Sequence, residues 1–357
     1  MAEERASPLA RYLLLAYALL TVYASLHPFS GWRDLGIEPF AFISAPPPRY
    51  LLVFDLVANV LGYAPFGFLA AIALYPGVRG VYAFLLATAS SVALSLALEA
   101  LQGFLPARTP SNIDFLANAL GGMLGAALGA RLARRLLREG IVQALRYRLF
   151  RAGGAVDLGL VLMALWLVTQ LNPETLLFGN GDLRDLFQTP SGIHYSARQF
   201  IGAEAFVAGA NITAVGLMLA LISERGQPVR ILFLAFIVVA LAVRSLAYGI
   251  LFKSPSLLLW LTPGAAIGVA CGLIVVLFAL RLPRRAQFVL CGLALMAATV
   301  AVNITPTNPY LAASLATWRQ GHFLNFNGLT RLLSAAWPYI ALVYVLAIGA
   351  GRARRHA

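Results

Sequence analysis

The chain has 357 residues, of which 60% are hydrophobic and only 11% are charged. Soluble globular domains carry about 25% charged residues, so this composition excludes a water-soluble globule and indicates a polytopic membrane protein. The formal net charge of +13 would suit a nucleic-acid partner, but the Arg residues lie in alternate loops instead of on one soluble face. We therefore expect an all-α, polytopic helical membrane protein that binds no nucleic acid.

Runs of roughly 20 apolar residues, the length that crosses the hydrocarbon core of a bilayer, recur along the chain. They predict ten transmembrane helices, near residues 9–26, 51–74, 80–102, 114–136, 154–171, 200–223, 229–252, 256–281, 286–305 and 329–350. If the N-terminus is cytoplasmic, most of the 27 Lys and Arg residues fall on the cytoplasmic side, including the run from 131 to 151 and the tail GRARRHA. This positive-inside bias predicts that both termini are cytoplasmic.

An internal repeat is visible in the sequence. The stretch RYLLLAYALLTVYASLHP, from residue 11, resembles LGLVLMALWLVTQLNP, from residue 158. We predict a degenerate, parallel duplication of a four-helix unit, because an even number of spans restores the direction of the chain. The expected domains are a four-span unit at 1–136, a basic cytoplasmic linker at 137–153, a degenerate four-span unit at 154–281, and two further spans with a basic cytoplasmic tail at 282–357.

Two stripes of glycine repeat at a similar offset. The first stripe is Gly121, Gly125 and Gly129, and the second is Gly264, Gly268 and Gly272. Every fourth residue lies on one helix face, where glycine lets two backbones approach closely. We expect packing surfaces there, which are also possible contact surfaces for a membrane-protein partner.

Polar residues interrupt the apolar spans of the first unit. They are Asp55, Asn59, Glu99, Gln102, Arg108, Asp114 and Asn118. In the predicted topology all of them lie at the depth of the outer leaflet. Spacings of three or four residues place neighbouring pairs on one helix face, so three helix faces can meet. We interpret the seven as a candidate ligand-binding cluster.

The motifs around these residues resemble the VanZ-like domain over roughly residues 9–135. They are HPF after the first span, FDLVANVLGYAPFGFL in the second, and EALQGFLPARTPSNIDFLANALGGMLG across the third and fourth. The matching residues are Asp55, Asn59, Pro65, Phe66, Gly67, Glu99, Gln102, Arg108, Asp114, Asn118 and Gly122. The resemblance implies a membrane protein of the bacterial cell envelope, in a family whose name-giving members are associated with teicoplanin resistance. It implies no catalytic mechanism.

Several functions are compatible with the cluster. An accessory protein would bind an amphiphile at the outer leaflet, such as a membrane lipid, a lipid-linked envelope precursor or a lipopeptide, with Arg108 on its phosphate or carboxylate. An intramembrane enzyme would use the carboxylates as acid and base, and a proton-coupled transporter would also need them. A structural alternative makes the cluster a hydrogen-bonded clasp between helices. No nucleophile or metal-ligand spacing is evident, so we predict no cofactor and no metal and assign no catalytic residue.

The second copy retains little of this polar set. The Asp55 position corresponds to Glu204, and Arg244 lies inside a span. An isolated charge at such depth is costly, so we expect Glu204 and Arg244 to form a structural ion pair.

Overall fold

The computed structural model of the chain describes residues 7–36, 38–46, 53–139, 141–184, 196–224, 226–251, 257–305 and 324–353. Within these ranges the protein contains eleven α-helices. Eight of the described helices are long and apolar enough to cross a membrane. The predicted fold class, an all-α polytopic membrane protein, is therefore confirmed. The basic tail beyond residue 353 lies outside the described residues.

The chain divides into two compact units, residues 1–148 and 149–357. The helices of the first unit are α1 (Pro8–Leu26), α2 (Val53–Leu74), α3 (Gly80–Gln102) and α4 (Asn112–Arg134). A short helix, α5 (Ile141–Leu149), lies at the boundary. The helices of the second unit are α6 (Gly154–Thr169), α7 (Ala197–Ile222), α8 (Val229–Leu251), α9 (Pro263–Ala279), α10 (Arg284–Ile304) and α11 (Leu324–Ala353).

Two of the ten predicted spans form apolar helices that are shorter than expected. Helix α6 has 16 residues and α9 has 17. At 1.5 Å per residue each is about 25 Å long, slightly less than the hydrocarbon core. Helix α9 begins at Pro263 because the Thr262 side chain accepts a hydrogen bond from the backbone N–H of Ala265 and so caps the helix. The start of the predicted 256–281 span is therefore irregular chain.

Helices α2 and α4 form the tightest pair of the first unit, because the first glycine stripe faces the α2 backbone. A Cβ atom added at Gly121, Gly125 or Gly129 would lie 2.2, 1.8 or 2.5 Å from the carbonyl oxygens of Val60, Ala64 and Phe68, respectively. Glycine is required at this crossing because any side chain would separate the two backbones. Helix α3 packs on the other side of α4, where the buried Ser91 faces Gly122.

Helix α7 is the central helix of the second unit. It packs against α9 and α10, and its apolar window is 78% buried, the highest share among the described spans. The second glycine stripe faces it: a Cβ at Gly268 would lie 2.6 Å from the carbonyl oxygen of Ala205. The glycine-lined pairing of α2 with α4 thus has a counterpart in α7 and α9. Both stripes pack inside their own unit, which leaves no room for a second protein at these glycines.

Candidate functional site

The candidate site lies where α3 ends and α4 begins. The Ser111 hydroxyl caps α4 by accepting a hydrogen bond from the Asp114 backbone N–H at 3.4 Å. The Ser111 N–H donates in turn to Oε2 of Glu99 at 2.9 Å. Glu99 is only 4% exposed, so this carboxylate joins the end of α3 to the first turn of α4 from a buried position.

Two carboxylates and an amide line the adjoining edge of α2 and α4. Nδ2 of Asn59 donates to Oδ1 of Asp114 at 2.9 Å. Asp55 lies one turn before Asn59, is exposed, and is close enough to Asp114 for the two charges to interact. We call Asp55, Asn59 and Asp114 the acidic edge.

Arg108 contacts the end of α1. Its Nε and Nη2 atoms donate to the carbonyl oxygen of His27 at 2.9 and 2.6 Å, and Nη2 also donates to the carbonyl of Ala24 at 3.1 Å. Cations near a helix C-terminus are stabilised by the unpaired carbonyls and by the helix dipole. Partial burial lowers the pKa of the Arg108 guanidinium, and the nearby Glu99 opposes that shift.

Gln102 makes a similar contact with α1. Its Nε2 atom donates to the carbonyl oxygen of Ser25 at 2.9 Å. We call Glu99, Gln102 and Arg108 the clasp, because together they join the ends of α1 and α3 to the start of α4.

Asn118 lies one turn deeper in α4. Its Nδ2 atom donates to the hydroxyl of Ser95 at 3.0 Å, and among the described residues nothing donates to its buried Oδ1 atom. Tyr63 of α2 is close to Ser95 and Glu99. The seven predicted residues therefore lie at the same end of the unit but separate into the acidic edge, the clasp and this deeper pair.

Three contributing residues were absent from the sequence-based set: Ser95, Ser111 and Tyr17. Tyr17 donates from its hydroxyl to the carbonyl of Gly62 at 2.7 Å and so joins α1 to α2. Ser111 had a detectable signal, because the sequence SNID before an apolar run is a typical helix-capping pattern. Ser95 and Tyr17 had no such signal, since the sequence alone does not show which group a single hydroxyl in an apolar span contacts.

Comparison with protein families matches residues 10–134 to the VanZ/LLP1 family. This segment is a VanZ-like domain. The match covers the four helices that bear the acidic edge, the clasp and the deeper pair, and its limits agree with the expected range of 9–135. Comparisons with curated proteins and with solved structures gave no match.

Across the described ranges, no group of three or more His, Cys, Asp or Glu residues is arranged to bind a metal ion. The polar side chains that the structure brings together at this site are carboxylates, amides, hydroxyls and one guanidinium.

In the second unit the structure gives Glu204 and Arg244 different partners. Oε2 of Glu204 accepts a hydrogen bond from the Thr262 hydroxyl at 2.6 Å. Arg244, which is 1% exposed, donates to the carbonyls of Asn172 and Thr175 and stacks over the Tyr248 ring. The ion pairs among the described residues do not include a direct contact between Glu204 and Arg244, but the two charges are close enough to interact, so their pairing stays a prediction. Backbone carbonyls in the loop after α6 therefore accept the hydrogen bonds of the guanidinium.

The two units use arginine in the same way. His27 and Asn172 each precede the proline that follows the first helix of their unit, and each accepts hydrogen bonds from an arginine. In the VanZ-like domain the arginine is Arg108, in the loop after α3, whereas in the second unit it is Arg244, within α8. The contact is thus repeated although the arginine comes from a different position in the repeat.

Proposed function

We propose that this membrane protein of VanZ type binds the polar head of an amphiphile at the outer leaflet. The acidic edge carries the proposal, because Asp55 is exposed at the end of a membrane-spanning helix and lies beside a second carboxylate, Asp114. Ionisable residues within membrane-spanning helices are rare and are candidates for a functional site. Two adjacent carboxylates suit a head group with an amine or several hydroxyl donors, as in a lipid-linked envelope precursor or a lipopeptide.

The contacts of Arg108 argue against its role as the anion-binding group. Its Nε and Nη2 donors point at the carbonyls of Ala24 and His27, and those carbonyls would lose their partners if the guanidinium turned to a ligand. We therefore assign a structural role to the clasp, which supports the binding site without contacting the ligand. It fixes the start of α4, and with it Asp114, against α1 and α3.

A transport path through the α2–α4 crossing is disfavoured by packing. Just below Asn118, Gly121 and Gly125 bring the two backbones into direct contact. A water-filled path needs space and polar groups through both leaflets. An acid/base enzyme would use the same carboxylates as a binding protein, but nothing in the described contacts of this edge adds a nucleophile.

The proposed location is the bacterial cytoplasmic membrane, with both termini cytoplasmic. Arg79, Arg131 and Arg134 lie at the end of the VanZ-like domain opposite to the acidic edge, which supports this orientation through the positive-inside rule. The acidic edge then faces the outer leaflet, where lipid-linked envelope components are accessible.

Replacement of Asp55 by Asn tests the proposal. Full-length protein is purified from bacterial membranes in mild detergent, and the co-purifying amphiphiles are quantified by mass spectrometry. We expect Asp55→Asn to lower the retention of one amphiphile class about tenfold, since a charge-assisted contact contributes about 1.5 to 3 kcal/mol. The melting temperature should not change, because Asp55 is exposed.

Asp34→Asn provides the matched control, since Asp34 is an exposed carboxylate in the loop that precedes α2. It should retain the amphiphile at the level of the unmodified protein. Equal retention by all three proteins would contradict amphiphile binding at the acidic edge.

A further inference from the structure

The opposite end of the VanZ-like domain contains a second concave surface. A cavity of about 360 Å³ lies between the end of α2, the start of α3 and the end of α4. Its polar lining comes from Tyr75, Arg79 and Arg134. We call it the basic pocket. It shares no residue with the acidic edge or the clasp, so it is independent of the function proposed above.

Tyr75 contributes a buried polar group to the wall of the basic pocket. The residue is 6% exposed, and its hydroxyl is buried with no hydrogen-bond partner among the described residues. A buried hydroxyl without a partner is destabilising by about 1 to 3 kcal/mol, so such groups are uncommon in native proteins. The hydroxyl is closed off from the cavity in this structure, so a ligand would supply its acceptor after the Tyr75 ring turns towards the pocket.

Arg79 is positioned at the rim of the pocket by two contacts. Its Nε atom donates to the carbonyl of Pro76 at 2.8 Å, and its guanidinium stacks over the Tyr75 ring at 5.2 Å from the centroid. Arg134 approaches from α4 on another side of the cavity. Two guanidinium groups and a hydroxyl donor match the oxygens of a phosphate group.

The start of α3 adds a further attraction for an anion. Helix α3 has 23 residues and begins at Gly80, which lines the pocket, and no side chain hydrogen-bonds its first turn as a cap. The unpaired N–H groups and the positive end of the helix dipole favour a bound anion.

An apolar groove adjoins the basic pocket. It is a shallow cavity of about 370 Å³ between α3 and α4, lined by residues that include Val81, Phe84 and Ala127. Both cavities are lined by Gly80 and Ala130, so they are neighbours. A polar site for an anion beside an apolar groove on a membrane-spanning helix pair matches a lipid with a phosphate head group.

We propose that the basic pocket and the adjoining groove bind one anionic phospholipid, with its phosphate on Tyr75, Arg79 and Arg134 and part of an acyl chain along α3 and α4. This site is at the end of the domain that carries Arg79, Arg131 and Arg134, whereas the acidic edge is at the other end. The two proposals can therefore fail separately.

Native mass spectrometry of the full chain tests the assignment. The protein is released from phosphatidylcholine nanodiscs that contain phosphatidylglycerol, and the lipids that remain bound are counted. We expect one phosphatidylglycerol per chain to be retained preferentially. Arg134→Gln and Tyr75→Phe should each reduce its apparent affinity, the former about tenfold because it removes a charged donor.

Arg135→Gln is the control, because Arg135 is the exposed neighbour of Arg134, carries the same charge and does not line either cavity. It should leave retention unchanged, and melting in phosphatidylcholine alone shows that each variant is folded. An equal loss in Arg135→Gln and Arg134→Gln would overturn the proposal in favour of diffuse surface charge. If inorganic phosphate without phosphatidylglycerol raises the melting temperature of the protein as much as phosphatidylglycerol does, the assignment to a lipid is overturned.

Discussion

Arg108 and Arg244 show how a charged side chain in an apolar protein can be satisfied without a carboxylate. Arg108 donates to carbonyls at the C-terminal end of α1, and Arg244 donates to carbonyls in the loop that follows α6. Carbonyls at a helix end have no partner inside the helix and carry partial negative charge, and loop carbonyls likewise need a donor. In each unit the arginine supplies a donor that these carbonyls would otherwise take from water.

The contacts of Arg108 predict a defect in stability for Arg108→Gln. The change removes charge-assisted hydrogen bonds to Ala24 and His27 in a half-buried position, so we expect the free energy of unfolding to fall by about 2 kcal/mol. Thermal melting in detergent measures the effect. Arg11→Gln, at an exposed position on α1, is the control and should melt like the unmodified protein. Indistinguishable melting of the two variants would contradict the assignment of Arg108 to the clasp.

The residue types of the candidate site were predictable from the sequence, but their partners were not. The carbonyl that Arg108 contacts lies 81 positions away, and nothing in its spacing identifies it. The hydrogen bond between Asn59 and Asp114, which lie 55 positions apart, could be predicted only with knowledge of how α2 and α4 cross. The backbone carbonyls that accept from Arg244 could not be predicted for the same reason, because charge and depth alone do not identify backbone acceptors.

At the scale of helices, the α2–α4 crossing depends on glycine. Gly125→Ala should be strongly destabilising, since its Cβ would lie 1.8 Å from the carbonyl oxygen of Ala64. Forced separation of packed helices is destabilising by about 2 kcal/mol or more. We expect a lower melting temperature and reduced expression, both measured on a fluorescent fusion of the full chain.

Gly62→Ala is the control for this prediction. Gly62 lies in α2, and a Cβ there would meet nothing within 4 Å. Alanine favours a helix over glycine by about 1 kcal/mol, so this variant should be unchanged or slightly more stable. The packing account fails if Gly125→Ala melts at the same temperature as Gly62→Ala.

Periodicity in the sequence predicted the helices and the glycine faces because both are local properties. Eight of the ten expected spans are full-length helices. The shortness of α6 and α9 was less evident, since apolar residues continue beyond the helix ends and hydropathy does not detect a cap such as Thr262. Packing of α10 and α11 into the second unit is likewise a tertiary property that no local pattern encodes.

At the scale of the whole molecule, the VanZ-like domain has a cluster of carboxylates at one end and a group of arginines at the other. Asp55, Glu99 and Asp114 lie at one end, whereas Arg79 and Arg134 lie at the other. Positive charge is retained on the cytoplasmic side of membrane proteins, so the acidic end is expected to face outward. The proposed binding of an amphiphile at the outer leaflet depends on this orientation.

Cysteine labelling in intact cells tests the orientation most directly. Cys271 and Cys291 are first replaced by Ala, because both are free thiols. Ala107→Cys then places a thiol in the exposed loop between α3 and α4, and Gly77→Cys places one in the exposed loop between α2 and α3. We predict that a membrane-impermeant maleimide labels the protein with Ala107→Cys in intact cells and the protein with Gly77→Cys only after permeabilisation. Labelling of the Gly77→Cys protein in intact cells, with the Ala107→Cys protein protected, would contradict the account.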